Sequence, residues 1–216
     1  MSVKDFVQQR RDALIAMRRD FHMYPEPAWL EYRSAAKVAD RLISLGYDVA
    51  LGADVLDLDS RMGLPSDEVM KAAMDRAIEE GANLELVEKM GYGKTAIVAT
   101  MNFGGEGSVV AFRVDMDSND VIEAKEDNHV PTKKGFRSCH DKAMHACGHD
   151  AHMTMGLGLA EYLATHKDEF KGTIKLIFQP AEEGVRGAKA MVETGVVDDV
   201  DLMFGMHIGF NENLSN

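Results

Sequence analysis

Four short stretches of this sequence carry side chains that can do chemistry together. Arg113-Val114-Asp115-Met116-Asp117 closes an apolar run, and His145-Ala146-Cys147-Gly148-His149-Asp150-Ala151-His152 opens a helical one. Glu182-Glu183 follows Ile177-Phe178-Gln179-Pro180-Ala181, and His207 follows Leu202-Met203-Phe204-Gly205-Met206. A thiol, several imidazoles and several carboxylates form the donor set of a transition-metal site. A single cysteine or histidine is more often part of a core than a ligand. Here Cys147 and His149 are separated only by Gly148, whose missing Cβ lets the backbone turn both toward one ion. Asp150 is placed to accept a hydrogen bond from a ligating histidine. His145 and His152 are weaker candidates to line the site. The helix-borne zinc pattern of two histidines around a glutamate is absent, since no glutamate lies between His145 and His149.

Glu-Glu pairs are usually solvated surface charges. This one leaves a strongly apolar run, and adjacent residues of an extended loop point to different sides. One carboxylate can bind a cation while its neighbour holds a water, the division that metal-assisted hydrolysis needs. In that company His207 becomes a credible ligand. A competing reading makes Cys147 a nucleophile with a histidine base, as in thiol amidases, and leaves the paired glutamates without a task.

These residues sit where elements begin or end. Helical periodicity runs from Phe6 through Ala13, Leu14 and Met17 to Phe21, and Tyr24-Pro25-Glu26-Pro27 breaks it. A second helix is expected over 32–45, stopped by Gly46, with an extended segment over 47–51. Residues 52–92 read as a helical insertion on the rim of a domain, with Ser66 capping a helix to about 80 and a shorter helix over 84–90. Strands are expected over 95–101 and 109–114, joined by a hairpin-like turn at Asn102-Phe103-Gly104-Gly105-Glu106-Gly107. Residues 115–146 read as irregular, 149–166 as helix, 173–178 as strand, 186–193 as helix, and 202–207 as a buried strand ending at His207. Alternating strands and helices predict an α/β protein with helices flanking a central sheet, and ligands at the carboxyl ends of its strands.

Composition narrows the function classes. Across 216 residues, 36 acidic side chains against 24 basic ones give a formal charge of −12, the opposite of a nucleic-acid binder. No apolar run is long enough to span a membrane, and the polar start Met1-Ser2-Val3-Lys4-Asp5 has no secretory signal. Two cysteines make no disulfide framework. A cytoplasmic location is the expectation.

In its motifs the chain resembles the aminoacylase and carboxypeptidase family of dinuclear metallohydrolases. It is similar to the amidohydrolase branch that includes hippurate hydrolases, N-acetyl-diaminopimelate deacetylases and plant auxin-conjugate hydrolases. The resemblance is carried by Arg18-Arg19-Asp20-Phe21-His22 with Pro25-Glu26, by Phe112 to Asp117, by Met144 to His152, by Phe178-Gln179-Pro180-Ala181-Glu182-Glu183-Gly184 and by Met206-His207. Ser60-Arg61-Met62-Gly63-Leu64-Pro65 and Phe136-Arg137-Ser138-Cys139 bring it nearer to members of that branch acting on p-aminobenzoyl-glutamate.

The resemblance implies a zinc-peptidase-like (phosphorylase/hydrolase-like) catalytic domain with a central mixed sheet. It implies two divalent cations, zinc or manganese, bridged by the Cys147 thiolate, with His149 and His207 on one and Glu183 on the other. Glu182 matches the general base and acid, and Asp115 a position beside the site. The implied reaction is cleavage of the amide bond of a small N-acyl or N-aroyl amino acid, p-aminobenzoyl-glutamate-like substrates first. Two departures stand out. Ser118-Asn119-Asp120 replaces the Ala-Leu-Pro common in the family. The family's lid or dimerisation domain, and a return segment with one further histidine ligand, would follow Asn216. The expectation is therefore that 1–216 is the N-terminal part of a truncated catalytic domain, whose full-length form pairs with a second copy or with a partner subunit. The alternative is a non-catalytic fragment that binds metal weakly.

Overall fold

A period of two along the strands sorts side chains between two buried faces. In β2 (Ile97–Asn102), Ile97, Ala99 and Met101 join one cluster while Val98 joins the other; in β4 (Thr173–Gln179), Leu176 and Phe178 oppose Ile177 in the same way. Each large apolar side chain buried like this contributes about 1.5–3 kcal/mol relative to exposure.

The computed structural model describes residues 1–209. Its remaining strands are β1 (Asp48–Leu51), β3 (Val109–Asp115) and β5 (Leu202–Gly205). The helices are α1 (Val3–Met23), α2 (Tyr32–Ser44), α3 (Asp67–Glu79), α4 (Leu84–Lys89), α5 (Val130–Lys133), α6 (His149–Thr165) and α7 (Ala188–Val192). The five strands form one mixed sheet in the order β1-β2-β4-β3-β5, so the expected α/β class holds. β2 is antiparallel to β1 and β4, while β3 is parallel to β4 and β5.

Helices α1, α2 and α6 cover one face. The Met153, Leu157, Ala160 and Leu163 stripe of α6 is buried there, and a Cβ on Gly156 would lie 2.9 Å from Val114 and 3.1 Å from Phe178. α3 and α4 pack on α2, and Met74, Ala77, Val87 and Met90 belong to the same core. The other face buries Trp29, Leu56, Ala190 and Met191. Ser2 caps α1 and Ser66 caps α3, each accepting a backbone N–H three residues on. No helix among the described residues is long and apolar enough to cross a membrane.

Two local expectations are corrected. The glycine-rich 102–107 segment is not a hairpin, because β4 lies between β2 and β3. Its backbone bonds to Gly172 instead, through Phe103 N–H at 2.9 Å and Gly104 C=O at 3.2 Å. β4 takes the central place, and both β2 and β3 pair with it. The second correction is β5, whose four residues are exposed rather than buried. It is an edge strand, paired only with β3 among the described residues.

Parallel pairing aligns the carboxyl ends of β3, β4 and β5: Asp115 stands opposite Gln179, and Arg113 opposite Gly205. The chain leaving each strand therefore delivers Asp117, Glu182-Glu183 and His207 to one edge, where α6 begins at His149.

Candidate metal centre

Gly148 turns the chain into α6 with a left-handed φ of 88°. That conformation suits glycine, and here the space demands it too: a Cβ would sit 2.2 Å from Ile208 Cδ1. The turn brings Cys147 and His149 to His207, and one donor atom from each lies within 4.8 Å of the others. His149, Glu182 and Glu183 form a second such group, and Asp115, His149 and His152 a third. His149 is common to all three groups.

The ring of His149 is completely buried. Its Nδ1 donates to the Asp117 carbonyl at 2.7 Å, which leaves Nε2 facing the site. Nε2 has no hydrogen-bond partner among the described residues; Glu182 Oε2 and Asp115 Oδ1 stand off at 3.7 and 3.8 Å. A buried imidazole lone pair without a donor, surrounded by carboxylates and a thiol, fits a cation. Burial opposes the charged imidazolium, but Asp117 and Asp115 outweigh it and leave the His149 pKa raised. The field that favours a proton there also favours a metal ion in its place.

Cys147 Sγ lies 3.2 Å from His207 Nε2. The His207 Nδ1 donates to the Ile208 carbonyl at 2.7 Å, fixing the tautomer that points Nε2 at the sulfur. Burial, together with the Glu183, Glu182 and Asp115 carboxylates, pushes the Cys147 thiol up to about 11. That is the reverse of an activated nucleophile, which needs a lowered pKa, and it argues against the thiol-amidase reading. A thiol in such a negative pocket becomes a thiolate when a cation compensates it.

Two residues left without a role in the sequence reading arrange the glutamates. Asp117 accepts the backbone N–H groups of Glu182 and Glu183 on its two oxygens, at 2.9 and 3.0 Å. Asn119 donates to Glu183 Oε1 at 2.7 Å and accepts the Cys147 N–H at 3.0 Å. From behind, buried Glu31 accepts the Ala181 and Trp29 N–H groups and the Thr95 hydroxyl, holding Ala181 at a positive φ of 49°. The bonds of Asp117 and Asn119 reach residues 28 to 66 positions away, so no local sequence signal marks them. Glu182 itself is lightly held, with its side chain 33% exposed and Arg113 Nη2 at 4.0 Å.

Of the residues expected around the site, Asp115 is present and fully buried. It binds the His152 Nδ1–H and, at 2.7 Å, Arg113. Burial works to raise its carboxyl, but the His152 hydrogen bond and nearby cationic groups leave it below the usual range. His152 accepts the Ile208 N–H on Nε2 at 3.0 Å, tying the His207 segment to α6. Asp150 does not support a ligating histidine. It binds His22 Nδ1 at 2.8 Å and Arg18 at 2.9 Å, because the first turn of α6 aims it back at α1. His22 Nε2 reaches Glu123 at 2.9 Å, so this motif histidine clamps α1 to α6 and the 115–146 segment. His145 is buried with both ring nitrogens unpartnered among the described residues, and burial drives its pKa down to about 4.

The family model described as peptidase family M20/M25/M40 matches residues 111–216. The chain is 49% identical over 207 residues to the indole-3-acetyl-aspartic acid hydrolase of Enterobacter agglomerans, covering 96% of this chain and 48% of that one. It is 49% identical over 208 residues to one of the subunits of p-aminobenzoyl-glutamate hydrolase from Escherichia coli (strain K12), with the same two coverages. Among solved structures, the aminobenzoyl-glutamate utilization protein from Klebsiella pneumoniae superposes with a TM-score of 0.82 at 43% identity, covering 98% of this chain and 47% of that one. A dinuclear metal binding peptidase of the M20 family from Bacillus subtilis gives a TM-score of 0.67 at 28% identity, over 95% of this chain and 44% of that one. The chain spans about half the length of the curated relatives it matches.

Proposed function

We propose that this chain is part of a member of peptidase family M20/M25/M40, whose model matches residues 111–216, and that the full-length protein is a metal-dependent amidohydrolase cleaving N-acyl or N-aroyl amino acids. The observation that carries the reading is the buried, unpartnered Nε2 of His149 facing a thiol and two glutamates. When bound, two divalent cations, zinc or manganese, acidify a water and polarise the scissile carbonyl.

The chain's own residues divide the remaining work. Cys147, His149 and His207 would hold one cation and Glu183 the other, with the Cys147 thiolate available to both. Glu182 is free to move, so its carboxylate takes a proton from the attacking water and returns it to the leaving amine nitrogen. Asp117 and Asn119 keep the two glutamates aimed differently, so that only one is drawn into holding an ion.

The names of the two relatives favour acylated aspartate or glutamate as the amino-acid half of the substrate, with p-aminobenzoyl-glutamate as first choice. In the same proposal, residues 1–216 form part of the catalytic domain, with 52–92 as its helical insertion. A lid or dimerisation domain, the rest of the catalytic domain and a partner subunit belong to the full-length protein, which acts in the cytoplasm. The test is release of p-aminobenzoate by the full-length protein, wild type against Glu182→Gln. The reading requires a variant that keeps its metal and loses turnover. Full activity in that variant removes Glu182 from its role.

A further inference from the structure

A second group of metal-ligating side chains shares no residue with the centre above. At the end of α3, Glu80 meets Cys139 and His140, which lie on the segment leading to Cys147, and one donor atom from each falls within 4.8 Å of the others. The backbone fixes this meeting. Arg33 Nε donates to the Glu80 carbonyl at 3.2 Å, and the Cys139 N–H donates to the Met23 carbonyl at 2.9 Å.

The hydrogen bonds of His140 fix which ring nitrogen faces the other two side chains. Its Nδ1 lies 2.7 Å from the Pro25 carbonyl, which can only accept, so Nδ1 carries its proton. Nε2 lies 2.7 Å from Glu80 Oε1, a contact held by one shared proton that a cation can replace. The other Glu80 oxygen, Oε2, is buried without a partner among the described residues. A backbone carbonyl on Nδ1, with Nε2 turned toward the other donors, is the arrangement that orients metal-binding histidines. Cys139 is exposed, which leaves the site open to an ion from solvent.

We propose that Cys139, His140 and Glu80 form a separate site for one zinc-like divalent cation, tying the end of α3 to the segment that carries Cys147. Thiolate, imidazole and carboxylate together suit zinc, with water completing a tetrahedron. Bonds of about 2.0–2.3 Å open the Nε2···Oε1 separation to about 3.4 Å, a small side-chain movement. Binding releases one proton from the Cys139 thiol and one shared by His140 and Glu80, both to solvent, with no change of oxidation state. Burial and the Glu80 carboxylate raise the Cys139 thiol, with Arg33 and Arg76 opposing them only in part, so the thiolate forms when a cation compensates it; thiolate and carboxylate then neutralise the ion.

Cobalt(II) titration tests this on the 216-residue chain. In a Cys147→Ser background no thiol remains in the other centre, so any thiolate-to-cobalt charge-transfer band in the near ultraviolet reports Cys139. The expected result is a saturable band that is lost in Cys147→Ser/Cys139→Ser and weakened in both Glu80→Gln and His140→Gln. No band in a folded Cys147→Ser chain overturns the site, as does a band that Glu80→Gln and His140→Gln leave unchanged. Should Cys147→Ser fail to fold, the wild-type chain gives the same reading: Cys139→Ser must remove part of the band, and an undiminished band overturns the proposal. Neither outcome depends on turnover, so the amidohydrolase reading stands or falls separately.

Discussion

Asn119 donates its side-chain amide to Glu183 Oε1 at 2.7 Å, while its carbonyl oxygen accepts the Cys147 N–H at 3.0 Å. One side chain thus sets the distance between a carboxylate and a thiol on different loops. Asn119→Leu is expected to weaken divalent-metal affinity by about 10–100-fold, the usual cost of removing a group that orients a ligand. Metal titration of the variant, with urea unfolding as a control for the fold, checks this.

Asp117 holds three groups: the N–H of Glu182, the N–H of Glu183 and, through its carbonyl, His149 Nδ1. Asp117→Ala removes the first two and strands the loop donors. The expected loss is about 2–4 kcal/mol of stability, since hydrogen bonds to charged groups are worth about 1.5–3 kcal/mol each and their losses are not additive. Asp117→Asn keeps the shape and one acceptor and should lose less. The urea midpoints of the two variants decide the order.

His145 sets a pH dependence. Burial lowers its pKa from 6.5 to about 4. Between those values the unfolded chain takes up a proton that the folded chain refuses, so stability is full above pH 6.5 and falls as pH drops toward 4. The loss reaches at most about 3 kcal/mol. His22 acts on the other side: burial opposes its charge, but Asp150 and Glu123 raise its pKa, so its contribution is present below 6.5 and fades as pH rises through the raised value. Urea midpoints across pH 4–7 should slope upward in the wild type and flatten in His145→Leu; an unchanged slope would falsify the assignment.

Gly148→Ala is expected to be costly for two reasons. A left-handed conformation costs a residue with a Cβ about 1–2 kcal/mol, and that Cβ would collide with Ile208. The displaced Ile208 segment carries His207, so metal affinity should fall along with stability. Retained affinity would show that His207 is not held by this contact.

Much of the fold was legible because its cause is local. Helical stripes such as Met153, Leu157, Ala160 and Leu163, and caps such as Ser66, announce themselves in the sequence. Strand order did not, because pairing is non-local: nothing in Asn102 to Gly107 reveals that β4 will insert between β2 and β3. The apolar content of Leu202 to Met206 looked like burial, yet an edge position overrides composition. At the site, ligand types and spacing pointed to Cys147, His149, Glu182, Glu183 and His207, and the structure places their donor atoms in overlapping groups. Asp150 was misplaced because spacing along a chain does not say which way a helix's first turn faces. Asp117 and Asn119 were noted without a role in the site, because their bonds reach distant backbone N–H groups and the Glu183 carboxylate, which a sequence does not display.

The central claim is that Cys147, His149, His207 and Glu183 hold metal. X-ray absorption at the zinc edge, on the zinc-loaded chain carrying Cys139→Ser, measures this directly. The account predicts a sulfur neighbour at about 2.3 Å with nitrogen and oxygen neighbours at about 2.0–2.2 Å, and loss of the sulfur shell on adding Cys147→Ser. A shell of nitrogen and oxygen alone in the Cys139→Ser chain would contradict it.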